Sequence, residues 1–297
     1  MVHYDSCPLC SSATFVLKFN CTDYYVSKEV FPVIECSTCG FTFTGDHPEE
    51  SEIARYYESD EYISHSDTRQ GAVNRLYRLA RNFMLVRKTR LVKKVTGIRE
   101  GKTLDIGSGT GYFAAAMKKE GWHSEGIEIN RKARDFSRSE FGLEVFEPSE
   151  IKNLKSGDYD CITLWHVLEH FNDPDSYMKE ISRLLKQGGK CIIALPNNKS
   201  FDSLHYKEFW AAWDVPRHLW HYNPGTFRKY CEKSSFELIN INTLPLDAVY
   251  ISILSEKYKK SKLPLIKGAI KGMWFLVESI FNREKASSLV YILEAVK

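Results

Sequence analysis

The stretch Lys102-Thr103-Leu104-Asp105-Ile106-Gly107-Ser108-Gly109-Thr110-Gly111-Tyr112-Phe113 restricts this chain more than any other. A short apolar strand runs into three glycines and then into the helix-forming run Ala114-Ala115-Ala116-Met117. Glycine allows the bend and lets a ligand approach the backbone where a Cβ would clash. The helix start beyond it offers free N–H groups and a positive dipole end to a carboxylate or phosphate. In an open α/β sheet, the crevice outside the carboxyl end of such a strand is the expected ligand site. A dinucleotide fold wants GxGxxG, whereas here the third glycine comes one residue early and Tyr112 takes its place.

From Lys102 onward strand and helix patterns alternate. Strands are expected at 102–106, 123–129, 143–146, 159–165, 189–195, 236–244 and 288–296. Helices fit 111–120, 130–140, 224–234 and roughly 166–186, the last with a break at Asn172-Asp173-Pro174. Gly121, Gly142 and Gly188-Gly189 fall where helices should end. This alternation predicts an α/β fold with a parallel sheet covered on both faces. Before it, residues 71–96 carry apolar residues at helical spacing, with Lys88 among many cations assigned to a solvated face. Three regions follow: a module over 1–45, a linker and helical cap over 46–100, and the main domain over 101–297. The linker opens with an acidic stretch from Asp46 to about Asp67 that contains Tyr56, Tyr57 and Tyr62.

Glu128 falls at the end of the second strand, 17 residues after Gly111, where a carboxylate can accept both hydrogen bonds of a ribose diol. Asp105 through Gly111, Glu128 and the segment Tyr159-Asp160-Cys161-Ile162-Thr163-Leu164-Trp165-His166-Val167-Leu168-Glu169-His170-Phe171 together resemble the class I S-adenosylmethionine-dependent methyltransferases. The resemblance covers roughly residues 70–297 and implies a Rossmann-like, seven-stranded, doubly wound sheet. It implies S-adenosylmethionine held by Asp105, Gly107, Ser108, Gly109, Thr110, Gly111 and Tyr112, with Glu128 on the ribose and Ile129 beside it. It further implies adenine near Glu147, and Leu164, Trp165 and His166 beside the methionine part.

Cys7-Pro8-Leu9-Cys10 and Cys36-Ser37-Thr38-Cys39 are two CxxC pairs separated by 25 residues. Four thiolates at such spacing match a structural zinc site, Cys7, Cys10, Cys36 and Cys39, and the segment resembles a zinc ribbon. The start lacks the basic and apolar regions of a secretory signal, so the cysteines read as ligands and reduced thiols, and the expected compartment is the cytoplasm. A ribbon of this kind is similar to those of two methyltransferase groups, one acting on sugars and small metabolites, the other on ribosomal RNA. RNA should bring a basic ribbon, yet residues 1–45 hold only Lys18 and Lys28 against Asp5, Asp23 and Glu29, and the net charge is only +3. The expected acceptor is therefore a small or carbohydrate-like molecule, methylated at oxygen. RNA methylation, or an inactive zinc-containing interaction protein, stands as the alternative.

His166, Glu169 and His170 are spaced to share one helix face, which makes His166 and His170 candidate bases, against the plainer alternative of helix anchoring and packing. Ubiquinone-pathway O-methyltransferases, which this segment resembles, carry acidic and His residues here, implying a metal as a second role. The aromatic stretch 200–225 is expected to overhang the crevice as a lid, with His218 as a second base and Arg217 holding an acidic group of the substrate, or else to form a packed aromatic loop whose histidines satisfy backbone groups. Within a helical insertion at 247–285, an apolar stripe from Leu263 to Phe281 is flanked by Lys257, Lys259, Lys260, Lys262, Lys267 and Lys271. Core or dimer packing accounts for such a stripe, and peripheral membrane contact through 257–281 is the alternative.

Overall fold

The computed structural model describes residues 1–57 and 72–296. The rest of the acidic connection, Tyr62 included, lies outside the described residues. The main sheet has seven strands: β4 (Lys102–Ile106), β5 (His123–Ile127), β6 (Glu144–Phe146), β7 (Tyr159–Trp165), β8 (Leu185–Pro196), β10 (Phe236–Thr243) and β11 (Ser288–Ala295). Their spatial order is β10-β11-β8-β7-β4-β5-β6. The five strands from β8 to β6 run parallel, and β11 inserts antiparallel between β8 and β10. Helices α2 (Tyr112–Lys119), α3 (Arg131–Phe141), α4 (Pro174–Leu184) and α6 (Pro224–Lys233) follow strands, as crossover connections require. The long α1 (Ala72–Thr96) precedes the sheet and packs its Val92 against Phe113, Met117 and Trp122.

Local chemistry sets several boundaries. Asp173 caps α4 by accepting from the Ser176 N–H at 3.0 Å, with Pro174 as the first helical residue. Gly142 ends α3 at φ +57°, a conformation that glycine adopts without strain. Gly188 and Gly189, by contrast, do not end a helix. Helix α4 stops at Leu184, and the glycines lie inside β8, where its register against β7 jumps from Leu185 to Lys190.

The N-terminal strands β1 (Phe15–Thr22), β2 (Val30–Cys36) and β3 (Thr42–Thr44) form an antiparallel sheet whose fourth member is β9 (Trp220–His221). Phe43 pairs with Trp220, and Thr44 Oγ1 donates to the carbonyl of His218 at 2.6 Å. The ribbon therefore shares its sheet with the stretch expected to overhang the crevice. That stretch is core instead of lid. Trp210 and Trp213 are each 2% exposed, and their indole N–H groups donate at 2.7 Å to Asp202 and to the Lys207 carbonyl. They pack with Phe31, Val33 and Tyr56 on one side and with Ala248, Ile251 and Phe275 on the other. The last three residues belong to α7 (Asp247–Tyr258) and α8 (Pro264–Phe281), an antiparallel helix pair. A Cβ at Gly268 or Gly272 would come within 2.4 Å of the α7 backbone, so these glycines permit the close crossing.

Arg217, expected to hold an acidic substrate group, is 3% exposed and fully engaged. Its guanidinium reaches Asp23 at 2.9 Å, Asp214 at 2.6 Å and the Tyr56 carbonyl at 2.8 Å. It clamps the ribbon to the segment before β9. Burial alone would raise the Asp214 carboxyl, but Arg217 outweighs it and holds the group at about 2. Removing one partner of such a pair strands a buried charge. Arg217→Met is expected to lower stability by about 3–5 kcal/mol, read from urea unfolding midpoints, and a loss below about 1 kcal/mol would show the clamp to be incidental.

Candidate active site

Strands β4 and β5 lie side by side, so their carboxyl ends open into one crevice. The Gly107 and Ser108 N–H groups both donate to the Ile127 carbonyl, at 2.8 and 3.0 Å, lashing the glycine bend to β5. Gly107, Gly109 and Gly111 have φ of +70°, +53° and +78°. A Cβ at Gly107 would stand 2.4 Å from Val167, and one at Gly111 would stand 2.7 Å from Ser137, so both positions are closed by packing. Nothing lies within 4 Å of the corresponding point at Gly109, which presents bare peptide to open space.

Glu128 stands one residue beyond β5. Its Oε2 accepts the Gly109 N–H at 2.7 Å and its Oε1 accepts the Asn130 N–H at 2.8 Å. Arg134 braces the same turn, donating to the carbonyls of Glu128 at 2.9 Å and Ile129 at 2.8 Å, and to the carboxylate of Glu147. Glu147 thus neighbours the Glu128 turn with its charge already paired. Ile129 stands 80% exposed beside it.

Other expected contacts point elsewhere. Asp105 is 2% exposed and accepts from Thr163 Oγ1 at 2.6 Å. Burial pushes its carboxyl up to about 7, against the Thr163 hydrogen bond and the Lys88 charge. Tyr112 sits under the Arg81 guanidinium, 3.8 Å from its ring centre, and against Phe141. Leu164 is fully buried in the sheet core. Ser108 Oγ is buried with no hydrogen-bond partner, and Thr110 is half-buried in the bend.

The turn after β7 forms the opposite wall. His166, Glu169 and His170 do not share a helix face, because only Leu168–His170 form a short 3₁₀ turn and His166 precedes it at φ +60°. A side chain other than glycine held there is strained, a feature that concentrates at functional sites. His166 Nε2 lies 3.0 Å from Asp247 and Nδ1 lies 3.5 Å from Glu169. Burial opposes its charge, yet the two carboxylates outweigh burial and raise it to about 9. A protonated imidazole has no lone pair to accept a proton, and the two carboxylates favour that form of His166.

Glu169 is 1% exposed and neither of its oxygens has a well-aligned donor. Burial opposes its charge, but the contacts led by His166 outweigh burial and hold the carboxyl below its usual value. Ligand atoms of Glu169, His170 and His218 all lie within 4.8 Å of one another. Burial, with help from the His218 charge, drives His170 down to about 4, so it is neutral near pH 7. His218 Nδ1 is 2.9 Å from the Ala212 carbonyl. A carbonyl only accepts, so Nδ1 is the nitrogen that carries a proton toward it, whichever way the ring is charged.

Two participants escaped the sequence reading. Lys88 of α1 turns inward, its ammonium 4.2 Å from the Trp165 ring centre, and burial lowers its pKa against the pull of Asp105 and Asp247. Asp247 comes from the start of α7, 81 residues from His166. Helical spacing revealed the first only as one cation among many, and nothing local marked the second.

At the N-terminus the four expected cysteines converge. Cys7 Sγ lies 3.6 Å from Cys39 Sγ and Cys10 Sγ 3.6 Å from Cys36 Sγ, with all four sulfurs within 4.8 Å of one another.

This strand order, with one reversed strand near its edge and a glycine bend closing its central strand, defines the class I S-adenosylmethionine-dependent methyltransferase fold. A family model described as a methyltransferase domain matches residues 75–241, more than half of the sequence, and the chain belongs to that family. Among curated relatives, it is 26% identical over 180 residues to the ubiquinone biosynthesis O-methyltransferase of Aromatoleum aromaticum, covering 54% of this chain and 75% of that one. It is 30% identical over 120 residues to the enzyme of the same name from Bordetella avium, covering 37% of this chain and 50% of that one. The match thus spans three quarters of the first relative and only half of the second. Among solved structures, phosphoethanolamine N-methyltransferase 2 of Haemonchus contortus in complex with S-adenosyl-L-methionine superposes with a TM-score of 0.54. At 15% identity, covering 86% of this chain and 62% of that one, the likeness concerns the fold.

The charge pairing of His166 has a measurable sign. Its folded value of about 9 lies above the ordinary 6.5, so its stabilisation is complete below pH 6.5 and is lost as pH rises through 9. The stability gap between wild type and His166→Gln should be widest near pH 6 and close above about pH 9, read by urea unfolding. A gap that grows with rising pH would contradict the pairing.

Proposed function

We propose that the chain transfers a methyl group from S-adenosylmethionine to an oxygen of a small acceptor. The observation that carries this reading is the Glu128 carboxylate locked against the Gly109 peptide at 2.7 Å, beside the open space at Gly109. The residues present fit the cofactor: the bare peptide leaves room a Cβ would fill, and the carboxylate can receive hydroxyl donors from a ribose. Gly107, Ser108, Gly109 and Thr110 would line the cofactor, with Ile129 and Glu147 toward its base. When bound, S-adenosylmethionine supplies an electrophilic methyl group on its sulfonium. No nucleophile on the protein is required, and the remaining work is positioning and removal of a proton from the acceptor.

His218 is our choice for that proton. Its Nδ1–H is fixed by Ala212, its Nε2 lies 3.8 Å from Asp214, and the Glu169 carboxylate clustered with it can steady the imidazolium that forms. The cluster belongs to the turn whose Val167 packs on Gly107, which ties it to the glycine bend. The O-methyltransferase names of the relatives support oxygen as the acceptor atom. A second reading of the same three groups is a divalent-cation site, favoured by the buried Glu169 oxygens, whose only close cation among the described residues is His166 at 3.5 Å. Activity that does not rise with added Mg²⁺ or Mn²⁺ assigns the role to His218.

In isothermal titration, S-adenosylhomocysteine should bind wild type and His218→Ala alike, whereas Glu128→Ala should weaken binding about tenfold or more. Turnover of His218→Ala should fall about 10²–10⁴-fold. Unchanged binding by Glu128→Ala, or none by wild type, would remove the proposal.

For the ribbon we propose a structural zinc on Cys7, Cys10, Cys36 and Cys39. A tetrahedron with zinc–sulfur bonds of about 2.3 Å has edges of about 3.8 Å, close to the 3.6 Å separations observed. Elemental analysis should find about one zinc per chain, and a strong chelator should lower Tm by more than about 5 °C. Metal-free protein with an unchanged Tm would refute the assignment.

A further inference from the structure

Helix α8 has two apolar faces. One is buried: Gly268, Gly272, Phe275 and Ser279 face α7 and the core. The other looks away from the protein. Ile266 is 57% exposed, Ile270 66%, Trp274 64% and Phe281 87%, and Met273, Val277 and Ile280 lie exposed along the same side. On a helical projection these residues centre nearly opposite Gly268 and Gly272, so no rotation of α8 about its neighbour could bury them. A patch of this size exposed on one helix marks an interaction surface.

Its charge identifies the occupant. Between residues 257 and 277 the chain carries six lysines and no acidic residue. Lys271 is bound to the buried Glu256 at 2.7 Å. Lys257, Lys259, Lys260, Lys262 and Lys267 are exposed, four of them gathered where α7 turns into α8 and the fifth on the margin of the apolar face. A second copy of this chain would set this lysine cluster against itself or against apolar residues. A lipid surface with anionic headgroups accepts both halves at once, side chains into the acyl boundary and ammonium groups at the phosphates. Trp274 suits the same boundary, having an apolar ring and one N–H donor. No described helix is long and apolar enough to cross a membrane, so the contact is parallel to the surface.

We propose that α8 is a peripheral membrane-docking helix that lies in the surface of an anionic bilayer, with the 257–267 lysines at its headgroups. The inference does not depend on which acceptor is methylated, and its test does not measure methyl transfer. The intact chain is mixed with vesicles of equal parts phosphatidylglycerol and phosphatidylcholine, or of phosphatidylcholine alone, and sedimented. Wild type should sediment with the anionic vesicles at least tenfold more than with neutral ones, and lose that retention in high salt. Ile270→Glu with Trp274→Glu should lose it at low salt while keeping the native circular dichroism spectrum. Lys259→Glu, Lys260→Glu and Lys262→Glu together leave the apolar face intact and should abolish the preference for anionic vesicles. Absence of wild-type retention, or retention unchanged in both variants, overturns the proposal. So does a dimer in light scattering that Ile270→Glu and Trp274→Glu dissolve, because the face would then belong to a second copy.

Discussion

The carboxylate of Glu128 makes the crevice a defined object. A glycine bend is the least self-supporting turn a chain can make, since each glycine gives up the most freedom on folding. Here two backbone N–H groups, from Gly109 and Asn130, converge on one side chain. Charge-assisted bonds of this kind are about twice as strong as neutral ones, and they join the loop after β4 to the turn after β5. The in-register pairing of β4 with β5, Ile106 against Ile127, delivers the two ends together, and Arg134 holds the far side of the turn. Both oxygens are thereby held in one orientation.

The opposite wall relies on paired, half-buried charge in place of buried backbone. His166, in a left-handed conformation, lies between Asp247 and Glu169, while Lys88 rests on Trp165 within the field of Asp105 and Asp247. Charges taken out of water are tolerated only when paired, and each of these needs partners from a different element. Helix α1, the β7 turn and helix α7 are thereby tied to one another without any covalent link. Helix α7 is in turn locked to α8 through Gly268 and Gly272, so the surface helix and the His166 pocket belong to one packed unit.

How much of this could be read from the residues follows from the range of the forces involved. The strands at 102–106 and 159–165, the break before Pro174 and the helix end at Gly142 rest on local chemistry, and they fell where the sequence placed them. The expected cysteine constellation did too, because two CxxC knuckles need only meet. Gly188-Gly189 misled because glycine signals a helix end and a strand bulge alike. The aromatic stretch 200–225 looked like an overhang, but density of tryptophan does not distinguish a lined pocket from a core. Arg217 and Lys88 could not be placed, since their partners, Asp23 and Trp165, lie far away in the chain. The convergence of His218 on Glu169 was hidden for the same reason.

One consequence concerns synthesis. The ribbon strands are made before the main domain, yet their sheet is closed by β9, and Thr44 meets His221 across 177 residues of sequence. Long-range pairing is entropically late, and domains emerge from the ribosome in order. The ribbon strands must therefore wait, with the Thr42–Thr44 edge uncovered, until the chain through His221 has been translated. A nascent edge of that kind invites pairing with the wrong strand, and a metal clip gripping the two knuckles early would keep the waiting strands in register.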